Sequence, residues 1–214
     1  MKELKVELTF TEDILGTSPS NGDIYKEFIG SKAPDASTID EEVADLGVDE
    51  VINRGKTVFP RLDGRPFLYD YQIKGFFKDS CSMLSRLSVK DETGKKKTKN
   101  ESGKLTAFKK VIDGLIFVSP RKIPFEYAGD MTDCERPLRA QTAQGDRVAL
   151  AISETVPAGA KVQFTVQCLD DSHVAAVKEW LDYGSFRGIG QWRNSGKGRF
   201  TWEEITCGSS AISA

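Results

Sequence analysis

The stretch of this 214-residue chain that decides its fold is Gly188–Phe200 (GIGQWRNSGKGRF), which we call the glycine loop. Its spacing is set by Gly188, Gly190, Gly196 and Gly198. The cations in or beside it are Arg187, Arg193, Lys197 and Arg199. Glycine has no Cβ to hold a ligand away and permits positive φ, so successive backbone N–H groups can converge on one anion. The glycine loop is therefore a candidate phosphate-binding element.

The glycine loop differs from the common nucleotide-binding motifs. A P-loop requires Ser or Thr after Gly-Lys, whereas Gly198 follows Lys197 here. Dinucleotide folds place their glycines between a strand and a helix, but the order here is reversed. Before the loop, a helix is predicted by the N-cap candidates Asp171 and Ser172, by apolar Val174, Val177 and Leu181, and by Gly184 as a stop signal. After the loop, Arg199 to Ile205 predicts a strand.

The glycine loop and two further segments resemble one protein family. The glycine loop lies near the C-terminal end and has the pattern Gly-apolar-Gly, five residues including an arginine, then Gly-x-Gly. This pattern is similar to the signature loop of the RAMP superfamily of CRISPR-associated RNA-binding proteins. Gly64–Lys78 (GRPFLYDYQIKGFFK) resembles the segment Gly-x-Pro-apolar-Ile-Pro-Gly-Ser-Ser-Leu-Lys-Gly that precedes a helix in backbone subunits of CRISPR effector complexes, with Tyr69–Gln72 in place of Pro-Gly-Ser-Ser. Val156–Phe164 resembles the turn and strand before their second conserved helix. The three segments follow the family's order.

The resemblance implies a fold, a function and a set of site residues. The implied fold is ferredoxin-like, and the implied function is a non-catalytic backbone-type subunit that oligomerises along a CRISPR guide RNA, with other effector subunits as possible partners. The family's lysine that touches the guide backbone corresponds to Lys74. The full predicted RNA-binding set is Lys74, Arg65, Lys78, Arg187, Gly188, Gly190, Trp192, Arg193, Gly196, Lys197, Gly198 and Arg199. Trp192 is the residue expected to stack on a base.

Composition limits the remaining function classes. The net charge is −2, so binding of nucleic acid needs a local basic face rather than bulk charge. Four separated cysteines and the single His173 make a zinc site improbable, and we expect no metal and no cofactor. The charged start Met1–Lys5 and the lack of an 18-residue apolar run predict a reduced, cytoplasmic protein without a membrane segment.

Hydrophobic periodicity predicts the core elements. Alternation from Leu4 to Phe10 predicts a first strand, central in its sheet, and helical spacing of Ile73, Phe76, Phe77, Leu84 and Leu87 predicts a helix over 71–87. Val111–Val118 is a strand candidate. Val148–Ile152 and Val162–Cys168 are predicted to pair as a hairpin across Pro157-Ala158-Gly159. The order strand, helix, strand, strand, helix, strand is that of an α+β, ferredoxin-like fold, whose open sheet is the platform that RNA-recognition modules use.

The polar segments are predicted to be excursions from one domain. We expect a single domain over 1–206, with insertions at about 16–56 and 119–146, and a flexible tail at 207–214. The acidic run Asp35–Glu50 is either a solvated face or a contact for a partner protein. The lysine-rich stretch 90–104 is either a solvated loop or an arm that contacts phosphates.

Two other function classes stay open. An endoribonuclease of the same fold would need an acid or base, and the candidates are Asp13, Asp23, Asp35 and His173. We interpret His173 as a surface residue at a helix start and place no aspartate in a matching motif. A solitary relative encoded by a mobile element could instead block or cap a CRISPR complex through protein contacts.

Overall fold

The computed structural model describes residues 1–19, 56–90, 96–98, 100–142 and 145–205. The strands are β1 (Lys2–Phe10), β2 (Ile14–Leu15), β3 (Ser18–Pro19), β4 (Lys56–Val58), β5 (Arg61–Leu62), β6 (Arg65–Tyr69), β7 (Ser88–Lys90), β8 (Lys96–Thr98), β9 (Ile116–Ser119), β10 (Lys122–Pro124), β11 (Thr132–Thr142), β12 (Gly145–Val156), β13 (Lys161–Cys168) and β14 (Phe200–Glu204). The helices are α1 (Asp70–Leu84), α2 (Phe108–Leu115) and α3 (His173–Arg187), with short 3₁₀ turns at Ser102–Lys104 and Arg193–Ser195.

The core is a four-stranded antiparallel sheet in the order β14-β1-β13-β9. With α1 between β1 and β9 and α3 between β13 and β14, this is the ferredoxin-like arrangement predicted from the element order. The alternation that predicts β1 places Leu4, Val6, Leu8 and Phe10 in the core. The predicted central position of β1 is confirmed, because β13 and β14 flank it.

The helices α1 and α3 cover one face of this sheet and pack on each other. Phe77 of α1 meets Trp180 of α3 at a centroid distance of 5.5 Å, and both side chains are fully buried. The prediction for α1 is confirmed for Ile73, Phe76 and Phe77, but the helix ends at Leu84, so Leu87 lies outside it and is exposed.

The predicted end of the second helix at Gly184 is wrong, since α3 continues to Arg187 and is capped by Gly188 at φ +73°. Gly184 serves packing instead: a Cβ there would lie 2.1 Å from the ring of Phe200. Glycine within the helix thus lets β14 approach α3, and the helix is capped four residues later, at Gly188.

The predicted hairpin between Val148–Ile152 and Val162–Cys168 is also wrong. β12 pairs with β11 over its whole length, whereas β13 pairs with β1 and β9. The turn at Pro157–Gly159 is held by Phe10, whose carbonyl accepts the Gly159 N–H at 2.7 Å. Alternation identifies the inward side chains of a strand but not its partner.

β11 and β12 form a long hairpin, called the β11–β12 hairpin. β11 lies in the region expected to be a polar connection, whereas β12 contains the predicted strand Val148–Ile152. Its base is fixed to the N-terminal part of the chain, because β12 pairs with β2 at Thr155–Leu15 and with β4 at Ile152–Lys56. Glu154 accepts the Phe59 N–H at 2.9 Å beside these pairs. A third small sheet has the order β10-β6-β5 and leads into α1.

Two further predictions need correction. Val111–Leu115 belongs to α2 rather than to a strand, because Phe108, Val111 and Ile112 follow helical spacing, and only Ile116–Ser119 is extended. The lysine-rich stretch contains the paired strands β7 and β8 rather than a loop throughout. The acidic run Asp35–Glu50, the candidate Asp23 and the predicted tail 207–214 lie outside the described residues.

The sheet face opposite the helices is polar and largely self-satisfied. Gln167 donates to Glu3 at 2.9 Å, and Glu7 accepts from Lys161 at 2.6 Å and from Gln163 at 2.7 Å. The exposed Phe117 of β9 lies at the sheet's edge beneath Lys74, while Trp202 of β14 turns to the helix side and donates to Asp182 at 2.8 Å. The described part of this face therefore lacks the central aromatic platform of an RNA-recognition module.

No helix in the described part of the chain combines the length and apolar character needed to cross a bilayer.

Candidate nucleic-acid interface

The glycine loop crosses itself at very short range, and its glycines are needed for that crossing. The Ile189 N–H donates to the Gly198 carbonyl at 2.9 Å, and the Gly198 N–H donates to the Asp13 carbonyl at 2.8 Å. A Cβ on Gly198 would lie 1.9 Å from the Ile189 carbonyl oxygen, and one on Gly188 would lie 2.7 Å from the Gly198 backbone. Both residues also have φ +73°. Gly188 and Gly198 therefore serve chain packing.

Two arginines of the loop region share one carboxylate on α1. Asp79 Oδ2 accepts from Arg187 Nε at 2.9 Å and from Arg193 Nη1 at 2.7 Å. Burial opposes ionisation of Asp79, but the hydrogen bonds and charges of the two guanidinium groups outweigh burial, and its pKa is lowered. Arg187 also donates to Asn194 at 3.0 Å. This carboxylate fixes the loop against the middle of α1.

Lys197 is paired in the same way, with the segment that follows β1. Its Nζ donates to Asp13 Oδ2 at 2.7 Å, and Asp13 Oδ1 accepts the Ala158 N–H at 3.1 Å. The hydrogen bond from Lys197 lowers the pKa of Asp13. An ion-paired carboxylate with a lowered pKa is a poor general base at neutral pH. Asp13 therefore acts as a clamp between the loop and the turn before β13.

α1 and the glycine loop enclose an open cleft of about 380 Å³. The cleft joins the two segments that carry the strongest family resemblance. Its lining from the α1 side is Thr17, Tyr71, Gln72, Gly75, Phe76, Lys78 and Asp79, and from the loop side Ile189, Gly190 and Arg193. A second, shallower depression of about 370 Å³ lies on the outer side of the loop between Arg187 and Asn194.

The outer part of the loop carries five consecutive backbone amides, Gly190 to Asn194, whose N–H groups donate no hydrogen bond within the described part of the chain. Gly190 has φ +90° and Trp192 has φ +53°. Such alternation into the left-handed region turns successive N–H groups toward one side, as in anion-binding nests. The loop can therefore offer amide donors to a phosphate even though its cations are engaged.

The structure brings together only some of the predicted site residues. Lys78 lines the cleft and pairs with Asp113 at 2.6 Å. Lys74 does not line the cleft: its Nζ donates to the Asp113 carbonyl at 3.2 Å and lies 5.1 Å from the centroid of Phe117. Burial lowers the pKa of Lys74. At the start of α1, the side chains of Asp70 and Gln72 accept the Tyr71 and Tyr69 N–H groups, so these two amides are not available to an anion.

Two predicted arginines lie exposed. Arg65 begins β6 away from the cleft lining, and Arg199 follows the last glycine of the loop. Within the described residues neither guanidinium has an ion pair or a hydrogen bond. Arg199 is thus the loop cation that is available without breaking a contact.

Three residues that shape the site are absent from the predicted set: Asp79, Gln191 and Arg136. Gln191 Nε2 donates to the Gly16 carbonyl at 3.0 Å, and its Oε1 accepts from Arg136 Nη2 at 2.8 Å. The Arg136 guanidinium also lies 5.1 Å from the centroid of Trp192. Arg136 sits in a polar stretch without periodicity, and Asp79 is one acid among helical polar residues, so no local signal marks either residue.

His173 is buried at the start of α3 rather than on the surface, with 8% of its area exposed. Its Nδ1 has no hydrogen-bond partner. Within the described residues, no three side chains of His, Cys, Asp or Glu lie close enough together to hold a metal ion.

No protein-family model and no curated protein matches this chain. Among solved structures, a chain in the cryo-EM structure of the Type III-B Cmr-beta bound to cognate target RNA is 12% identical and superposes with a TM-score of 0.51 over 96% of this chain and 60% of that one. A chain of a Type IV-B CRISPR complex (13% identity, TM-score 0.46, covering 100% and 93%) is also similar. Cmr6 from Pyrococcus furiosus is similar as well, with 11% identity and a TM-score of 0.47 over 96% of this chain and 98% of that one.

The last two TM-scores, below 0.5, are too low to define a shared fold. The first similarity is one of fold: this chain shares the fold of a chain in the Type III-B Cmr-beta structure and spans 60% of that chain's length. The ferredoxin-like fold that the sequence predicts is confirmed by the strand order of the core sheet.

Proposed function

We propose that this chain is an RNA-binding, non-catalytic subunit of a CRISPR effector ribonucleoprotein. The observation that carries the proposal is the cleft between α1 and the glycine loop, which Lys78 and Arg193 line and which backbone amides of the loop border. Cations and amide donors on one side of a single strand provide affinity for phosphates without base readout. The shared fold of the Type III-B chain supports the same function.

The proposal extends to assembly and domain organisation. Guide RNA is the proposed ligand, and further copies of this chain or other effector subunits are the proposed partners. Residues 1–206 would form one domain, in which the β11–β12 hairpin takes the place of the RNA-contacting excursion of backbone subunits. Base pairing by the guide would then supply sequence choice, so the protein itself needs only backbone contacts.

A nuclease function finds less support in the site. Asp13 is held by Lys197 and by the Ala158 amide, and His173 is buried in the first turn of α3. Neither group is placed at the cleft. The described residues thus favour a binding function over general acid–base cleavage.

The experiment that tests the proposal measures binding of a labelled single-stranded RNA at several salt concentrations. Lys78, Arg187 and Arg193 are paired with Asp113 and Asp79, so RNA phosphates would have to replace these carboxylates. Three such phosphate contacts predict a slope of log K against log[salt] of about −2, from roughly −0.7 per contact on a single strand. Lys78→Gln and Arg193→Gln should each reduce the slope by about 0.7. Lys109→Gln is the matched control, because Lys109 is an exposed lysine of α2 outside the cleft lining.

A second experiment identifies the ligand. The protein is purified from cells, its absorbance ratio at 260 and 280 nm is recorded, the particle is sized, and any bound nucleic acid is sequenced. Oligomers that carry guide RNA would support the assembly. An RNA-free monomer that binds no single-stranded RNA at low salt would refute the proposal and favour a protein-contacting relative.

A further inference from the structure

We propose that Arg136 and Trp192 form a nucleotide subsite that takes one unstacked base of a single-stranded RNA and the phosphate beside it. The inference rests on the proposed function and deepens it, since it assigns a binding residue on the β11–β12 hairpin and a way of holding the base.

Arg136 connects the hairpin to the glycine loop. Its backbone pairs with Ala151 within the hairpin, and its Nη2 donates to Gln191 Oε1 at 2.8 Å. Gln191 is itself fixed by the Gly16 carbonyl at 3.0 Å. The guanidinium is therefore held in one position by contacts from two separate parts of the chain.

The charge of Arg136 lacks a counter-ion among the described residues. Its Nε and Nη1 are shielded from solvent and have no hydrogen-bond partner. Arg187 and Arg193, in contrast, share the carboxylate of Asp79. Because arginine stays protonated, a shielded guanidinium without a carboxylate is unfavourable until an anion approaches. The position thus favours a ligand that carries negative charge.

Trp192 supplies a surface for a base beside this charge. The indole is 41% exposed, and its backbone has φ +53°, a conformation uncommon for residues other than glycine. The Arg136 guanidinium, 5.1 Å from the ring centroid, restricts the orientation of the indole. An indole that is fixed on one side and exposed on the other can stack a base without a large loss of side-chain entropy.

The free amides of the loop complete the subsite. Gly190 to Asn194 border the same depression as Trp192, and their N–H groups donate no hydrogen bond within the described residues. A phosphate next to a base stacked on Trp192 would lie near these amides. The Arg136 charge would attract it from a distance, without direct contact of the shielded Nε and Nη1. Bases in a duplex are stacked and paired, so only a single strand can supply the base.

The test compares two labelled ligands, a uridine 12-mer and a 12-mer of abasic ribose phosphate, by fluorescence anisotropy with the full chain. Wild-type protein should bind the uridine ligand about tenfold more tightly, as expected for stacking of a base on an aromatic ring. Trp192→Ala should weaken uridine binding about tenfold and abasic binding less than twofold. Arg136→Gln should weaken the binding of both ligands, because Arg136 acts on the phosphate.

The controls separate folding and function. Trp202→Phe and Arg86→Gln change a tryptophan and an exposed arginine outside the subsite and should leave both affinities unchanged. Circular dichroism verifies that each variant is folded, and Trp192→Phe, which retains an aromatic ring, should keep most of the preference for uridine.

Two results would overturn the subsite. One is equal binding of the uridine and abasic ligands by wild-type protein; the other is a folded Arg136→Gln variant with unchanged affinity for both. If wild-type protein binds neither ligand, the proposed RNA-binding function fails as well. If binding depends on Arg193 but not on Arg136 or Trp192, the subsite alone is refuted.

Discussion

Replacing Gly198 with alanine should destabilise the protein far more than the same change at Gly196. Both glycines have positive φ, +73° and +88°, so each alanine takes a left-handed conformation that costs about 1–2 kcal/mol. Only at Gly198 does the new Cβ fall 1.9 Å from a backbone oxygen, that of Ile189, whereas at Gly196 its nearest neighbour is the flexible Arg199 guanidinium at 3.6 Å. Overpacking of this kind adds about 1–3 kcal/mol.

The expected loss in the free energy of unfolding is therefore about 1–2 kcal/mol for Gly196→Ala and about 2–5 kcal/mol for Gly198→Ala. Denaturant titration by circular dichroism measures both. Gly64→Ala is a further control, because Gly64 has φ +78° and an added Cβ there meets no atom within 4 Å. If the two loop variants lose the same stability, the close crossing of the loop is not what requires glycine at position 198.

The remaining predictions concern the carboxylates and α1. Asp79→Asn should lower the free energy of unfolding at pH 7 by about 1–2 kcal/mol, because Arg187 and Arg193 lose an ionic acceptor. The same change should strengthen RNA binding, because it removes a negative charge. Weaker RNA binding would indicate instead that the carboxylate positions the arginines for RNA. Folding lowers the pKa values of Asp13 and Asp79, so both carboxylates stabilise the fold fully above their unfolded pKa, near 4. This stabilisation is lost as the pH falls through the lowered pKa values of the folded state. Denaturant titrations from pH 5 to pH 3 should therefore show that the free energy of unfolding falls more steeply for wild type than for Asp79→Asn. Gly75→Ala should raise stability by about 0.5–1 kcal/mol, because an added Cβ at this exposed helical position meets no atom within 4 Å; a lower thermal midpoint would contradict this reasoning.

The sequence predicts the core elements where one periodicity is unambiguous. Seven residues of strict alternation, Leu4 to Phe10, identify β1, and apolar residues at helical spacing identify α1. The segment Val111–Val118 is too short and too uniformly apolar to separate helix from strand, so part of α2 was assigned to a strand. The partner of β13 depends on contacts with β1, more than 150 residues distant, which alternation does not encode.

The candidate site was located by its glycines and cations, but their functions could not be predicted from spacing alone. Arg187 meets Asp79 across 108 positions of sequence and Lys197 meets Asp13 across 184. Cations that look available for phosphate in a linear pattern are thus committed to the fold. Arg136 shows the converse, because a residue in an unremarkable polar stretch reaches Gln191, 55 positions away, with part of its guanidinium unpaired.

The polar sheet face has a consequence for the approach of a polyanion. Glu3, Glu7 and Glu203 lie on that face with Lys5 and Lys161, so it carries more negative than positive charge. The glycine loop and α1 lie on the other side of the molecule's core. If the chain binds RNA as proposed, this face would repel the incoming strand and favour its approach from the side of the glycine loop. This orientation should weaken as added salt shortens the range of the field.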